Sequence, residues 1–354
     1  MEITDVRFER LALPCEPGIS DSAKTFETTG VAYLELETDV GLTGIGLGGA
    51  DHRQSAESFR RSIEPVAEYV TGQSPFVLCN QMRLPDGGPM PGAFRRAVDV
   101  AAWDLCGKFL ERPVYELLGG TDPRVRAYAS GLAFDHDDET TRTVYEAFAE
   151  RGFHTAKVKI GYSTIEEDLD RLRLVADVLG PDAKLAVDIN CTWTPKRAIR
   201  RVRQLRDAGV DLIWLEDPVP ADNRAGIKRV VDGLPQTLVN VGEYVGFDGK
   251  RALLADEAVD MLNLRNGLLS ESLPAAAMGR SHGAALHVGD MQAELGVHLA
   301  AALPGDPYLE YWRRPWKRIT DDAVAVEDGS LIAPDRPGHG VTVSPAAIDR
   351  YGVD

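Results

Sequence analysis

The feature that most constrains the fold is a set of charged clusters that recur at nearly equal intervals in the middle of the chain. The intervals are 29, 28 and 27 residues, counted along Lys159, Asp188, Glu216 and Glu243. Each cluster closes a short apolar run, and the interval matches one β-strand followed by one α-helix. Because such parallel strands end at the same edge, we expect these charged side chains to converge on one site.

Short apolar runs and amphipathic helical intervals alternate through this part of the chain. The runs cover residues 125–133, 156–160, 185–189, 212–215, 238–241, 261–264 and 284–288, and the helical intervals cover 165–179, 195–208, 224–231 and 271–282. Repeated βα units of this length are typical of a parallel (β/α) barrel, and an open doubly wound sheet is the alternative. No GxGxxG motif follows any run, which disfavours the nucleotide-binding form of the open sheet.

The first third of the chain has a different pattern. Residues 1 to about 50 alternate apolar and polar side chains, which predicts two or three antiparallel strands. Residues 16–29 interrupt them and are polar, so we predict a mobile loop there. From about residue 54 to 118 the apolar spacing becomes helical, and the Gly- and Pro-containing stretch at 119–123 ends it.

Composition narrows the class of protein. The 354 residues carry a formal net charge of −16, which argues against a nucleic-acid partner. No apolar run approaches the roughly 18 residues of a membrane span, and the N-terminus lacks a basic-then-apolar signal segment, so we expect a cytoplasmic protein without a membrane partner. The four widely spaced cysteines form no CxxC pattern and are expected to be reduced.

Two lysines near the end of one predicted strand are candidates for base chemistry. Lys157 and Lys159 are two residues apart, so they point to the same face of a strand. Two neighbouring ammonium groups disfavour each other's charge, which is expected to lower the pKa of at least one of them. A solvated strand end is the alternative reading of such a pair.

Three carboxylates end consecutive units beside the lysine pair, and they suggest a metal site. Asp188, Glu216 and Glu243 offer hard oxygen ligands of the kind Mg²⁺ takes. Acidic residues also end strands simply to cap the next helix, which is the alternative for any one of them. Their occurrence in three successive units favours the metal.

These motifs together resemble the enolase superfamily, in its mandelate racemase and muconate lactonizing enzyme branch. Lys157-Val-Lys159 is similar to the Lys-x-Lys base motif of that branch, and the carboxylate clusters to its three metal ligands. Residues 101–108 and 113–120 resemble the helix of its capping domain and the exit from it. The resemblance covers nearly the whole chain.

The resemblance implies a modified TIM (β/α) barrel with an α+β capping domain formed by the N-terminal segment and the C-terminal tail. The chain would divide into a cap at 1–122, a barrel at 123–325 and a returning segment at 326–354. It also implies a homo-oligomer acting on a small-molecule carboxylate, with one Mg²⁺ stabilising the enediolate formed when Lys159 removes the α-proton. Lys157 would tune Lys159 and contact the carboxylate, and residues 16–29 would close over the substrate.

The chain departs from the family pattern after the third ligand. Arg265 stands where relatives have a second base or an aspartate, and arginine stays protonated, so it is expected to bind substrate or to form a structural salt bridge. His287 is an acid–base candidate, with a packed histidine as the alternative. Asn190 and Asp290 complete the expected substrate-binding set.

The sequence therefore predicts a half-reaction more closely than a product. The first hypothesis is a Mg²⁺-dependent lyase that dehydrates a hydroxylated or sugar-derived acid to a 2-keto acid. The second is an isomerase, either a cycloisomerase or a racemase/epimerase of a carboxylic acid or amino-acid derivative. The third is a catalytically degenerate homologue with a binding or structural role.

Overall fold

A computed structural model describes residues 1–20, 25–80, 92–265, 268–289, 292–312, 315–321 and 324–353. The first part of the chain forms an antiparallel sheet of three strands in the order β1-β2-β3, flanked by helices. These elements are β1 Ile3–Ser20, β2 Thr25–Thr38, β3 Thr43–Ala50, α1 Ala56–Val70, α2 Pro75–Leu78, α3 Gly92–Phe109 and α4 Val114–Leu117.

The sheet strands are longer than predicted. Residues 16–20 and 25–29, expected to lie in a loop, belong to β1 and β2, and only 21–24 fall outside the described residues. Ile19 pairs with Phe26 and Ser20 with Thr25, so the strands remain a hairpin up to that gap. The prediction of a loop over all of 16–29 was wrong because polar side chains on an exposed strand end resemble loop composition.

Eight parallel strands then close into a barrel, because the last strand pairs with the first. The strands are β4 Arg124–Ser130, β5 Thr155–Lys159, β6 Lys184–Asp188, β7 Leu212–Glu216, β8 Leu238–Val241, β9 Met261–Asn263, β10 Ala285–Val288 and β11 Tyr308–Tyr311. The barrel expected from the sequence is confirmed, and the open doubly wound sheet is excluded. The final strand, β11, was missing from the predicted runs.

Helices follow the first seven barrel strands and cover the outside of the barrel. They are α5 Asp138–Ala149, α6 Ile165–Leu179, α7 Pro195–Asp207, α8 Arg224–Gly233, α9 Phe247–Ala255, α10 Leu269–Ser281 and α11 Gln292–Ala302. Local sequence fixes their starts: Thr164 and Glu167 form a reciprocal capping box at α6, and Thr194 caps α7 ahead of Pro195. Among the described residues, every helix is too short or too polar to cross a lipid bilayer.

The C-terminal segment contacts both the barrel and the N-terminal sheet. A 3₁₀ helix, Pro315–Arg318, precedes a hairpin of β12 Ala325–Glu327 and β13 Ser330–Ile332, and β13 pairs antiparallel with β4. The last helix, α12 Pro345–Tyr351, packs through Ile348 in a cluster with Leu11 and Leu13 of β1. The tail therefore ties the two sheets together.

A buried histidine fixes the joint between α11 and the tail. His298 accepts a hydrogen bond from the backbone N–H of Tyr115 at 3.2 Å through Nδ1, and its Nε2 donates to the carbonyl of His339 at 3.0 Å. Both ring nitrogens are therefore satisfied in the neutral form. Burial is the main reason that the pKa of His298 falls to about 4, below the ordinary value of 6.5.

This histidine is expected to make the fold sensitive to acid. The unfolded chain takes up a proton at His298 near pH 6.5 and the folded chain only near pH 4, so its contribution to stability is present above pH 6.5 and is lost on acidification through that window. The loss is about 3 kcal/mol at most. Urea unfolding at a series of pH values should show a shallower fall in stability for His298→Gln than for the exposed-site control His282→Gln. Identical pH slopes in the two variants would contradict this origin.

Candidate active site

The charged residues at the carboxyl ends of the barrel strands meet, as their spacing predicted. In the parallel ladders Lys159 pairs with Asp188 and Asp188 with Glu216, so these positions lie at one level of the barrel. A cavity of about 310 Å³ opens above them. Its charged and polar lining consists of Ser20, Thr29, Lys157, Lys159, Asp188, Asn190, Glu243, Tyr244, Arg265 and Glu310.

Lys157 is enclosed by carboxylates. Its Nζ lies 2.8 Å from Oε1 of Glu216, 3.0 Å from Oε1 of Glu310 and 3.9 Å from Oδ2 of Asp188. Burial opposes the charge of Lys157, but Glu216 and Glu310 outweigh burial and raise its pKa well above the ordinary value. Lys157 is therefore not a lysine whose pKa is lowered, because neighbouring anions have more influence on it than the second lysine.

Glu310 was not identified from the sequence. It lies on β11, is buried, and is held ionised: Lys157 and Arg265 lower its pKa despite burial. An available signal was the short apolar run around Tyr308 that contains a single acidic residue, one unit after β10. The run is too short to identify as a strand by its pattern alone. It could have been found by noting that a closed barrel needs eight strands and that only seven runs had been identified.

Lys159 has a different environment from Lys157. Its Nζ donates a hydrogen bond to the carbonyl oxygen of Ser20 at 3.0 Å, and its side chain lines the cavity. Ser20 is the last described residue of β1, so the N-terminal sheet reaches directly over this lysine. The partner of Lys159 is therefore a neutral carbonyl, whereas the partners of Lys157 are carboxylates.

The hairpin end that covers Lys159 is held by the loop after β4. Asp135 accepts hydrogen bonds from the hydroxyls of Ser20 at 2.6 Å and Thr25 at 2.8 Å, one on each carboxylate oxygen. The backbone N–H of Phe134 donates to the hydroxyl of Ser20 at 3.0 Å. These bonds place Ile19 and Phe26 in the wall of the cavity.

Carboxylate oxygens of Glu216, Asp217 and Glu243 lie within 4.8 Å of one another and form the acidic group best placed to share a cation among the described residues. Asp217 was not among the predicted ligands. Its φ of 40° turns the chain sharply after β7, and its Oδ2 is buried with no hydrogen-bond partner among the described residues. A sharp turn of this kind cannot be read from a Glu-Asp-Pro sequence.

Asp188, a predicted ligand, lies beside this group and lines the cavity. Its two carboxylate oxygens accept from the backbone N–H and the side-chain amide of Asn190, each at 2.9 Å. Asn190 and Cys191 both have positive φ, at 44° and 65°, and this tight turn brings the Asn190 side chain back toward the strand end. Asn190 also donates to the hydroxyl of Tyr244 at 3.2 Å.

The electrostatics of the carboxylate group fit a divalent cation. Burial raises the pKa of Glu216, Asp217 and Glu243, and repulsion from neighbouring carboxylates adds to each increase. Closely spaced buried anions are unfavourable unless a cation compensates them. The site holds five carboxylates but only three cationic side chains, and Oδ2 of Asp217 has no hydrogen-bond partner among the described residues. The carboxylates are those of Asp188, Glu216, Asp217, Glu243 and Glu310, and the cationic side chains are Lys157, Lys159 and Arg265.

Arg265 lines the cavity after β9, which lies across the barrel from β5, the strand of Lys159. Its guanidinium forms an ion pair with Glu243, and about a third of its side chain is exposed. The backbone N–H of Arg265 donates to the side-chain oxygen of Asn263 at 2.9 Å. The two expectations for Arg265, substrate contact and salt bridge, are therefore compatible, since it does the second while facing the cavity.

His287 is not part of the cavity lining. It is fully buried in the barrel interior, where its Nε2 is 2.8 Å from the hydroxyl of Tyr128 and its ring packs against Tyr128 and Trp214. Burial is the main reason that its pKa falls to about 3. This environment is that of the packed histidine, one of the two readings of the sequence, and a role for His287 as an acid or base stays a prediction. Asp290, expected to bind substrate, lies outside the described residues.

Two family models match the chain along most of its length. The model described as "Mandelate racemase / muconate lactonizing enzyme, N-terminal domain" matches residues 4–119, and the model described as "Enolase C-terminal domain-like" matches residues 139–347.

The chain is also similar to characterised and solved proteins. It is 32% identical to arabinonate dehydratase of Saccharolobus solfataricus over 99% of both chains, and 33% identical to 3,6-anhydro-alpha-L-galactonate cycloisomerase of Streptomyces coelicolor over 73% of this chain and 71% of that one. The structure of L-talarate dehydratase from Polaromonas sp. JS666, solved with Mg and L-glucarate, aligns with a TM-score of 0.85 at 27% identity, covering 100% of this chain and 98% of that one.

Proposed function

The chain belongs to the mandelate racemase and muconate lactonizing enzyme branch of the enolase superfamily, and we propose that it removes the proton α to the carboxylate of a small acid, with Lys159 as the base and Mg²⁺ as the cofactor. The single observation that carries this proposal is the position of Lys159. It faces the same cavity as the carboxylate group but has a neutral carbonyl as its hydrogen-bond partner.

Asp188, Glu216 and Glu243 are the residues we propose to hold the metal, with Asp217 beside them. When bound, Mg²⁺ would offset the negative charge that develops on the substrate carboxylate as the α-proton leaves. Glu216 is well fixed for this role. Its Oε2 accepts from Trp214 at 3.1 Å and from Asn240 at 3.4 Å, while Lys157 holds Oε1.

Residues of this chain can carry out the transfer of the substrate's α-proton. A neutral Lys159 takes the α-proton at Nζ from a substrate bound across the cavity, and the carbonyl of Ser20 orients that nitrogen. Lys157 stays charged between Glu216 and Glu310, so it can hold the substrate carboxylate but cannot accept a proton. Lys159 is buried beneath the end of the β1–β2 hairpin, which it contacts at Ser20.

The residue opposite the base favours dehydration as the outcome. Racemisation by two bases needs a second base on the side of the substrate opposite Lys159. The strand four places from β5 in the eight-stranded barrel is β9, and the residue that follows it into the cavity is Arg265, whose guanidinium stays protonated. In dehydration one lysine suffices: the ammonium formed at Lys159 donates its proton to the β-hydroxyl, which leaves as water. The enol that remains becomes a 2-keto acid when its β-carbon takes a proton from solvent and its hydroxyl releases one to solvent.

Product analysis tests this outcome. We expect the protein with Mg²⁺ to convert at least one acid in a panel of aldonic and aldaric acids, including arabinonate and galactarate, to a product lighter by one water that reacts as a 2-keto acid. Mass spectrometry and semicarbazide trapping would detect it. Conversion of a panel acid with its mass unchanged and no keto acid formed would contradict dehydration.

An isomerase is the second candidate, and the apolar half of the cavity favours it. Part of the cavity lining is apolar and offers a polyhydroxylated chain few hydrogen-bond partners. This apolar part consists of Ile19, Phe26, Leu132, Trp312 and Trp316. A lactone or another substrate with an apolar face would suit that part of the lining, and one of the relatives above is a cycloisomerase. An isomerase would conserve the mass of its substrate, so the same panel, extended with lactones and dipeptides, separates the two candidates.

A further inference from the structure

A buried lysine outside the cavity connects the loops that carry Glu243 and Arg265. Lys250, in α9, is 3% exposed, and its Nζ donates hydrogen bonds to three backbone carbonyls. The distances are 2.7 Å to Gly242, 2.9 Å to Val245 and 3.2 Å to Arg265. These three bonds match the three donors of an ammonium group, so Lys250 is fully used by main-chain oxygens.

The three carbonyls lie in the two loops that carry Glu243 and Arg265, so the lysine holds these loops together. Gly242 and Val245 lie on either side of Glu243, so two of the bonds fix the turn that begins where β8 ends. Gly242 has a φ of 133°, and an added Cβ would lie 2.6 Å from the carbonyl oxygen of Asn263. The turn is therefore tight against the end of β9, and the third bond ties it to Arg265.

Joining two loops through a buried lysine requires the desolvation of a charged group, which is energetically unfavourable. Burial disfavours the charge of Lys250 and is the main reason that its pKa falls to about 8. An apolar side chain would pack in the same space at no such cost but would leave three carbonyls without a donor. Lys250 occupies a position where its hydrogen bonds join the turn of Glu243, a metal-ligand candidate, to Arg265, the ion-pair partner of Glu243.

We propose that Lys250 is a positioning residue for the metal site, holding the Glu243 turn and the Arg265 strand end in the arrangement that binds Mg²⁺. This inference rests on the proposed function, since it assumes that Glu243 is a ligand. A purely structural role would make Lys250 important for folding but would leave the metal affinity of the folded protein unchanged. Mg²⁺ affinity, measured apart from stability, distinguishes the two roles.

The test compares Lys250→Met with a matched packing variant, Val230→Ala, which trims a fully buried side chain of α8 away from the site. Isothermal titration with Mg²⁺ alone should show affinity weaker by about 10- to 100-fold in Lys250→Met. Val230→Ala should bind Mg²⁺ like the wild type even though its urea midpoint falls. Lys250→Arg, which keeps the charge and several donors, should recover part of the affinity.

Wild-type affinity in folded Lys250→Met would overturn this inference and leave the proposed function standing. Failure of the wild-type protein itself to bind Mg²⁺ would overturn both, so the two failures are distinguishable. If Lys250→Met does not fold, Lys250→Gln takes its place, because its amide keeps a donor for one or two of the carbonyls. An intermediate loss of Mg²⁺ affinity is expected there, and an unchanged affinity would again overturn the inference.

Discussion

Lys159→Met is expected to reduce turnover of any substrate found in the acid panel by about a thousandfold or more, with Mg²⁺ affinity close to that of the wild type. The physical reason is that methionine fills the same space but cannot accept the α-proton, and a positioned general base is worth about 10²- to 10⁴-fold. Lys159 contacts the carbonyl of Ser20 and none of the carboxylates proposed as ligands. Steady-state kinetics and calorimetric Mg²⁺ titration would measure the two quantities.

Two further variants separate base chemistry from charge and from general damage. Lys159→Arg keeps a positive charge but cannot act as a base near neutral pH, so it should be as inactive as Lys159→Met. Lys184→Met, at the opposite end of β6 and exposed, should keep wild-type turnover. Turnover of Lys159→Met within tenfold of the wild type would mean that another group removes the proton.

Glu216→Gln is expected to weaken Mg²⁺ binding by more than about 100-fold and to remove activity at moderate Mg²⁺ concentration. Glu216 is fully buried, its two oxygens are held by Lys157 and Trp214, and it belongs to the carboxylate group that can share a cation. Replacing a ligand of this kind should cost more than the 10- to 100-fold found for supporting partners. The loss should appear in calorimetry and as the disappearance of Mg²⁺-induced thermal stabilisation.

Glu57→Gln, a change of the same chemistry at an exposed position of α1, should leave Mg²⁺ binding unaffected.

The Mg²⁺ affinity of the wild-type protein should also rise with pH. Burial raises the pKa of Glu216 to about 8, so protons compete with the metal at lower pH. An unchanged Mg²⁺ affinity in Glu216→Gln would remove this carboxylate from the site.

The sequence was sufficient to predict the barrel and the charged residues at the carboxyl ends of its strands, because both follow from the regular spacing of residues along the chain. Charged residues near the ends of successive runs, 27 to 29 residues apart, can meet only if the runs are parallel neighbours. The ladder from Lys159 through Asp188 to Glu216 has this register. Lys157 and Lys159 share a face for the same reason, since side chains in a strand alternate.

What the sequence did not predict depends on contacts between distant segments and on the exact register of short strands. Glu310 is 153 residues from its partner Lys157 in the chain, and Ser20 is 139 residues from Lys159. His287 lies in a four-residue strand, where a shift by one residue exchanges the barrel interior for the outside, so its role could not be assigned from pattern alone. Asp217 depends on a left-handed turn that its neighbours do not signal.

The most direct test of the account is exchange of the α-proton with solvent deuterium, followed by proton NMR on a panel of hydroxy acids with protein, Mg²⁺ and D₂O. The account predicts that at least one acid loses its α-proton signal, or is converted to a deuterated product, with the wild-type protein. It predicts no such change with Lys159→Met or when EDTA replaces Mg²⁺. Exchange that persists in Lys159→Met, or that does not need Mg²⁺, would contradict the central claim that Lys159 is the base of a metal-dependent α-proton abstraction.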